Sequence, residues 1–278
     1  MKKIIITAFI LLFASACVQF VPNDDSKNIP DQEKPVEFEV TEQKNVIEFS
    51  EWHEIEKGLE IKEDVFKNEA SDKEEKITLV KIDPNLFEFK ISQDTENPKS
   101  IFEWQKETNA VLASNGGYFQ ENFQTAGLLV IDGKTFGPKK SQVYDGMLLI
   151  SAGFPQLRYL PVSGFDYEKE KIDFGVQSFP VLIKPEGLAN LSEDDGKLSR
   201  RTVIAQGSDN NIYLIYTHNF NISLFQLMNY LLNSEIKFKI AVNLDGGSST
   251  GLEIKDNDFS YEIQSINQVP NAILVYKK

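Results

Sequence analysis

The sequence has very few residues that act as soft metal ligands or sulfur nucleophiles. Among its 278 residues one is cysteine, Cys17, and two are histidine, His53 and His218. One cysteine excludes an intramolecular disulfide, and this composition excludes a thiolate or multi-histidine zinc site. A carboxylate-only magnesium or calcium site stays open as an alternative, although the sequence has no loop signature for one. We therefore predict no metal and no cofactor.

Sequence motifs of several enzyme classes are also missing. Neither a G-x-S-x-G nucleophile elbow nor a Walker loop occurs along the chain. Acid–base chemistry must then rest on carboxylates, with one histidine as a further candidate.

Positive charge is scarce. Lysine and arginine number 29 against 42 aspartate and glutamate residues, which gives a net charge of −13. Nucleic acids and anionic membrane surfaces favour clustered lysine and arginine, so neither is predicted as a partner. An anionic substrate would need a local cationic pocket within this negative field.

The one sustained apolar run lies at the N-terminus. Two lysines, an apolar run and a small-residue stretch follow one another at positions 2–3, 4–13 and 14–16. The run is too short to span a bilayer, and the pattern predicts a signal peptide over 1–16. The small residues before Cys17 resemble a bacterial lipobox, which implies a lipidated Cys17. Plain secretion is the alternative, since Ala14 stands where lipoboxes usually carry leucine.

The N-terminal pattern also predicts the domain organisation. Residues 17–45 are rich in proline, polar and charged residues, which predicts a flexible tether after the lipidated cysteine. The rest, 46–278, contains no second linker and is predicted to be one domain. The expected product is a membrane-anchored lipoprotein of the bacterial cell envelope that faces the periplasm or the exterior.

Most of the domain reads as β-strands. Alternating apolar residues at 77–82 and 87–91 flank a turn and predict a hairpin, and 128–136 predicts a second hairpin around Asp132-Gly133. Capping boxes at Ser100 and Ser223 predict a short helix over 101–107 and a longer one before residue 238. These elements predict a β-rich domain with two helices.

The stretch 238–250 changes abruptly from strand to polar turn. Apolar residues alternate from Phe238 to Leu244, and Asp245-Gly246-Gly247-Ser248-Ser249 follows. Two glycines permit close approach of a ligand, and successive N–H groups can form a nest for an anion. The alternative is an ordinary tight turn between two strands, with Asp245 as a turn residue.

Four other places combine polar residues with strand ends. They are Asn115-Gly116-Gly117, Arg200-Arg201, Gln177 at the start of an apolar strand, and His218 after the 212–217 strand. Arginine suits a phosphate because its fork donates two parallel hydrogen bonds. A solvated surface position is expected of Arg200 more than of Arg201. His218 is either catalytic or structural.

Three of these stretches, in this order and spacing, resemble the phosphodiester glycosidase family. They are Asn115-Gly-Gly-Tyr-Phe119, Arg201-Thr202 and Asn243-Leu-Asp-Gly-Gly-Ser-Ser249; Ser248 stands where the family usually carries a third glycine. The resemblance covers about 46–278 and includes Gln177. It implies hydrolysis of a sugar-1-phosphodiester that releases the sugar and leaves a phosphomonoester. It also implies an α+β fold with a mostly antiparallel mixed sheet and a few packed helices.

The implied reaction suggests a role for each residue. Asp245 would act at the anomeric centre, Arg201 would bind the phosphate and His218 would carry a proton. The substrate-binding residues would be Asn115, Gly116, Gly117, Gln177, Gly246, Gly247, Ser248 and Ser249. The expected partners are a glycan or sugar-phosphodiester substrate and, through the lipid, a membrane.

Two rival classes stay open from the sequence. The protein could be a non-catalytic carbohydrate-binding envelope lipoprotein, or a structural protein whose glycines only make turns. Both functional classes require Asn115, Arg201 and Asp245 to share one site.

Overall fold

The computed structural model describes residues 48–69, 71–138 and 143–278. These residues belong to one compact unit, Gln43–Lys278. The predicted signal peptide and the predicted tether over 17–45, with Cys17, lie outside the described residues. Within the described ranges, no helix is both long enough and apolar enough to cross a membrane.

The described residues are dominated by strands. In chain order these are β1 (His53–Glu56), β2 (Leu59–Asn68), β3 (Lys73–Ile82), β4 (Phe87–Gln93), β5 (Leu112–Asn115), β6 (Leu129–Ile131), β7 (Lys134–Phe136), β8 (Gly146–Ser151), β9 (Phe154–Tyr159), β10 (Phe174–Ser178), β11 (Val181–Lys184), β12 (Leu188–Ala189), β13 (Thr202–Gly207), β14 (Ile212–Thr217), β15 (Phe238–Asn243), β16 (Leu252–Asp256), β17 (Phe259–Ile263) and β18 (Asn271–Lys277). The helices are α1 (Ile101–Thr108), α2 (Leu160–Ser163) and α3 (Leu224–Asn233), with 3₁₀ turns at Pro185–Gly187 and Gly247–Ser249.

The strands form three sheets. One has the order β1-β2-β3-β14-β13-β15-β11-β12, the second β7-β6-β10-β8-β9 and the third β17-β16-β5-β18-β4. Neighbouring strands in the described residues run antiparallel. The predicted antiparallel architecture is confirmed, but the fold is mostly β, so α+β overstates the share of helix.

Local signals in the sequence identified several elements. Ser100 and Ser223 each accept a hydrogen bond from the third helical residue and form the predicted capping boxes. The hairpin of β6 and β7 also forms, and Asp132 and Gly133 both adopt positive φ, at 48° and 73°. Two successive residues with positive φ make the tight turn whose twist matches that of the flanking strands.

The hairpin predicted over 77–91 is wrong. The turn itself exists, because Leu86 N–H donates to Asp83 O (3.1 Å). However, β3 pairs with β2 and β14, whereas β4 pairs with β18 in another sheet. Strand β4 buries one face in a core to which β3 also contributes Val80 and Ile82, while Ile77 and Leu79 of β3 face a second apolar cluster. Alternation reports the buried face and carries no information about the partner strand.

The core lies on both faces of the eight-stranded sheet. On β13, Ile204 faces an apolar cluster that all three sheets share, while Val203 and Ala205 face a second cluster. That second cluster contains Leu227 and Leu231 of α3. The central strands β13 and β15 are therefore fixed from both sides, and the residues at their ends inherit a rigid frame.

Candidate active site

The site forms where β13 begins and its neighbour β15 ends. Val203 lies opposite Asn243 in this antiparallel pair, and Leu244 N–H donates to Thr202 O (2.8 Å). Arg201 and Asp245, which flank these two strands, therefore lie at the same edge of the sheet.

A second loop reaches the same edge from β5. Asn115 Nδ2 donates to the backbone oxygen of Asp245 (2.7 Å), and Asp245 N–H donates to Gly116 O (3.2 Å). The structure thus brings together Asn115, Arg201 and Asp245, of which Asn115 and Asp245 are 130 positions apart in the sequence. A purely turn-forming role for all three stretches does not account for this convergence.

Asn115 holds the site together from inside. Its side chain is fully buried, and Oδ1 accepts from Thr202 Oγ1 (2.9 Å) and Gly251 N–H (3.1 Å). Nδ2 donates one of its two N–H groups to Asp245, so Asn115 positions the loop that carries Asp245. Its predicted role as a substrate donor stays a prediction.

The glycine pair after Asn115 is also structural. The N–H groups of Gly116 and Gly117 donate to the backbone oxygen (3.3 Å) and Oδ1 (2.8 Å) of Asn271. A Cβ on Gly116 would lie 2.2 Å from Asn271 Oδ1, and one on Gly117 would lie 2.4 Å from Val176 Cγ2. These glycines permit close packing. Their N–H groups are predicted to donate to a ligand, but in the structure they donate to Asn271.

The loop Gly246–Ser249 is a tight turn more than an open anion nest. Gly246 N–H donates to Asp245 Oδ1 (2.9 Å), Gly247 N–H to Arg200 O (2.8 Å) and Ser249 N–H to Gly246 O (3.1 Å). Among these four residues the N–H of Ser248 has no such partner in the described part of the chain. Gly247 has φ +62°, which explains glycine there.

Asp245 carries a perturbed carboxyl group. Burial raises its pKa to about 6, although hydrogen bonds from the Ser249 side chain and the Gly246 N–H oppose the rise. A carboxylate held this way has few internal partners and retains capacity for an external cation-like centre.

Arg201 presents a guanidinium group that is only partly used. Its Nη2 donates to Lys197 O, and its backbone N–H donates to Thr217 Oγ1 (2.7 Å). Its Nε is buried and has no partner among the described residues. Burial lowers the pKa of Arg201, yet an arginine stays charged at neutral pH. The unpaired donor suits a phosphate oxygen.

The surface position expected of Arg200 is wrong. Arg200 is only 5% exposed, and its Nη2 donates to Gln264 O (3.0 Å). Arg200 is buried because it packs against the loop after β15, where its backbone oxygen accepts a hydrogen bond from Gly247 N–H.

Aromatic residues that the sequence reading left unassigned border the carboxylate. Burial and the negative charge of Asp245 raise the pKa of Tyr118, which Arg201 opposes, and the same two causes raise that of Tyr144. The Tyr118 hydroxyl accepts from Asn243 Nδ2 (2.6 Å) and donates to Phe179 O (3.2 Å). Tyr118 directly follows the glycine pair and Asn243 precedes Asp245, so the motifs contained both.

His218 belongs to a different polar cluster. Strand β13 separates β14, which ends before His218, from β15, which ends before Asp245. Its Nε2 hydrogen-bonds with Thr78 Oγ1 (2.7 Å) on β3, the neighbour of β14 on the far side. Burial and Lys76 lower its pKa to about 4. The proton-carrier role of His218 stays a prediction.

Gln177 also has a structural partner. It is 6% exposed, and its Oε1 accepts from Leu128 N–H (3.1 Å), which ties β10 to the start of β6. Its predicted substrate contact stays a prediction. Among the described residues, no group of three or more His, Cys, Asp or Glu side chains is arranged around a metal position.

A family model described as phosphodiester glycosidase matches residues 108–276, which include every element of this site. The chain belongs to the phosphodiester glycosidase family. The resemblance carried by the three motifs is thereby confirmed, and this phosphodiester glycosidase is a hydrolase by family. No curated protein matches the chain significantly.

Solved structures show the same fold at low sequence identity. The catalytic domain of zebrafish N-acetylglucosamine-1-phosphodiester alpha-N-acetylglucosaminidase, auto-inhibited by its pro-peptide, has 14% identity and a TM-score of 0.60. The match covers 81% of this chain and 86% of that one. A hypothetical protein from Synechocystis has 15% identity and a TM-score of 0.52, over 80% of this chain but only 62% of that one.

Proposed function

We propose that this phosphodiester glycosidase hydrolyses a sugar-1-phosphodiester on a cell-envelope or extracellular glycan. The bond that breaks joins the anomeric carbon to a phosphate oxygen. Water supplies the hydroxyl of the released sugar, and the phosphate stays on the other partner as a monoester. The observation that carries the proposal is that Arg201 and Asp245 flank neighbouring strands at the same end of the sheet, and that the charges of both act on the pKa of Tyr118.

Asp245 serves the anomeric centre. Cleavage passes through an oxocarbenium-like state, which a nearby carboxylate stabilises or captures. Burial disfavours the charged form and raises the pKa to about 6, so the carboxyl group is mostly ionised only above that pH. This cost in the free enzyme is relieved when positive charge develops on the sugar, so the interaction is stronger in the transition state.

Arg201 serves the leaving phosphate. Its buried Nε–H has no partner in the described residues and is ready to bind an oxygen whose charge grows as the bond breaks. Phosphate is already a good leaving group, so the site needs less acid assistance than one for ordinary glycosides. This agrees with the location of His218 in another cluster.

The zebrafish relative's name supplies the first substrate to test. That protein is named as an enzyme for N-acetylglucosamine-1-phosphodiesters. We expect the full chain to release N-acetylglucosamine and methyl phosphate from the methyl phosphodiester of α-N-acetylglucosamine 1-phosphate, and then test other sugars in the same ester. Binding of such esters without turnover of any would favour the non-catalytic carbohydrate-binding alternative.

We propose further that the protein acts at the bacterial envelope, held by lipid on Cys17. The support is the sequence of the N-terminus, in which a basic start, an apolar run and small residues precede the only cysteine. A tether of about 30 residues would let the domain reach glycan substrates from the membrane.

A further inference from the structure

A polar cavity lies beneath the first turn of α1. It has a volume of about 290 Å³, and strands β16 and β17 form one of its walls. Two carboxylates line it, Glu253 on β16 and Glu262 on β17, which are direct cross-strand partners. Like charges directly opposite each other destabilise a sheet pair, so this arrangement needs a compensating group.

The cavity contains two buried oxygen atoms without partners. Glu253 is 4% exposed and Ser265 is 8% exposed. Neither Glu253 Oε2 nor Ser265 Oγ has a hydrogen-bond partner in the described part of the protein. A buried carboxylate oxygen without a partner is costly, and in native proteins such an atom commonly marks an absent ion or water.

Other charges near the cavity do not resolve this. Burial and Glu262 raise the pKa of Glu253 to about 7, and Lys255, two residues along the strand, opposes the rise only in part. The first turn of α1 presents a positive dipole end, but Glu103 accepts from Ser100 N–H (2.8 Å) and places a carboxylate there. The negative charge of the Glu253–Glu262 pair is therefore left without a close positive partner.

We propose that this cavity binds a divalent cation, Ca²⁺ in the first instance, through Glu253, Glu262 and Ser265. Calcium accepts six to eight oxygen ligands in flexible geometry, and waters can complete a shell that protein oxygens begin. Two carboxylates neutralise its charge, and Ser265 adds a hydroxyl. Glu262 is exposed, so the ion can enter from solvent.

The segment after β17 connects this cation site to the active-site loop. Gln264 O accepts from Arg200 Nη2 (3.0 Å), and the N–H groups of Ile266 and Asn267 donate to Ser248 O (2.8 and 3.0 Å). A cation that fixes Ser265 therefore also fixes the loop Gly246–Ser249. This coupling to catalysis rests on the proposed function, whereas binding of the cation does not.

The test is calcium binding to the full chain, treated with EDTA and then dialysed. Calorimetric titration with CaCl₂ should give one site per chain, which Glu253→Gln and Glu262→Gln each weaken at least tenfold. At Ca²⁺ concentrations near a hundred times Kd, the Tm of the unsubstituted protein should rise by about 5 °C. The same addition should raise the Tm of Glu253→Gln by at most about half as much.

The chain offers a matched control in another cross-strand glutamate pair, Glu54 and Glu60. Glu60 is already neutralised by Lys81 Nζ at 2.9 Å, so Glu54→Gln should bind Ca²⁺ as the unsubstituted protein does. No heat and no Tm change with Ca²⁺, Mg²⁺ or Mn²⁺ at 10 mM would overturn the proposal, as would binding by both cavity variants as tight as that of the unsubstituted protein. Glu262→Gln, at an exposed position, keeps the test valid if Glu253→Gln does not fold. Binding without any glycosidase turnover would leave the cation site intact and count against the proposed function alone.

Discussion

At the scale of single residues, burial of Asp245 opposes the ionisation of its carboxyl group. Its pKa rises from 3.8 to about 6 in the folded protein because burial disfavours the carboxylate. The charged form therefore lowers stability fully above about pH 6, and the penalty falls with pH and disappears below 3.8, where folded and unfolded chains are both protonated. Asparagine keeps the shape and removes this penalty.

We predict that Asp245→Asn abolishes turnover and leaves the domain folded. At pH 8 the variant should be more stable than the unsubstituted protein, by about 3 kcal/mol, since the pKa shift is about two units and each unit corresponds to about 1.4 kcal/mol. The difference should vanish below about pH 3, where the carboxyl is protonated in both folded and unfolded chains. Urea unfolding at both pH values, alongside a turnover assay, measures both effects. A folded and fully active Asp245→Asn protein would sink the mechanism.

The same carboxylate predicts the pH dependence of activity. Because the proposed reaction needs the ionised form, kcat/KM should rise as pH increases through about 6 and then level off. A pH profile of kcat/KM for the unsubstituted enzyme measures this. Activity that falls over the same range would mean that Asp245 works as an acid.

Arg201 should matter through its geometry as well as its charge. We predict that Arg201→Ala weakens transition-state stabilisation by roughly 2–4 kcal/mol, and that Arg201→Lys restores only part, because an ammonium group cannot form the two-point fork. Measured kcat/KM values for both variants give this directly. Unchanged values in both would show that the arginine takes no part in the reaction.

At the scale of elements, the loop after β15 depends on close backbone packing. A Cβ on Gly246 would lie 2.8 Å from the backbone oxygen of Arg200, which cannot move without shifting the start of β13. We predict that Gly246→Ala lowers stability by about 1–3 kcal/mol and lowers kcat at least tenfold, because it displaces Asp245.

Gly196→Ala is the control for that substitution. Gly196 has φ +67° and no atom within 4 Å of its added Cβ, so alanine there brings backbone strain of about 1 kcal/mol without displacing the site. Its kcat should stay unchanged. Equal loss of kcat in both variants would indicate that general destabilisation, and not the position of the loop, reduces activity.

At the scale of the whole molecule, the predicted lipid on Cys17 fixes where the domain works. Cys17→Ser should abolish labelling by a radioactive or clickable fatty acid and move the protein from the membrane to the soluble fraction, because several acyl chains anchor firmly whereas the polypeptide alone does not. Fractionation after carbonate washing measures this. Unlabelled wild-type protein that still fractionates with membranes would contradict the prediction.

The sequence by itself determined the family and most local structure. The Asn115, Arg201 and Asp245 motifs predicted the phosphodiester glycosidase family, which the family match confirms. Capping boxes placed α1 and α3, and Asp132-Gly133 placed a hairpin turn. These signals succeed because capping and turn formation depend on residues within four positions of each other.

Only the tertiary structure decided what the individual residues do. Asn115 and the glycines beside it look like ligand donors in sequence, yet Thr202, Gly251 and Asn271 occupy their polar groups. His218 turns to Thr78 on the next strand, and β3 pairs away from β4. Which donor is consumed inside the fold, and which remains for a substrate, depends on partners far away in sequence. Residue type and spacing cannot specify those partners, because strand pairing and packing choose them.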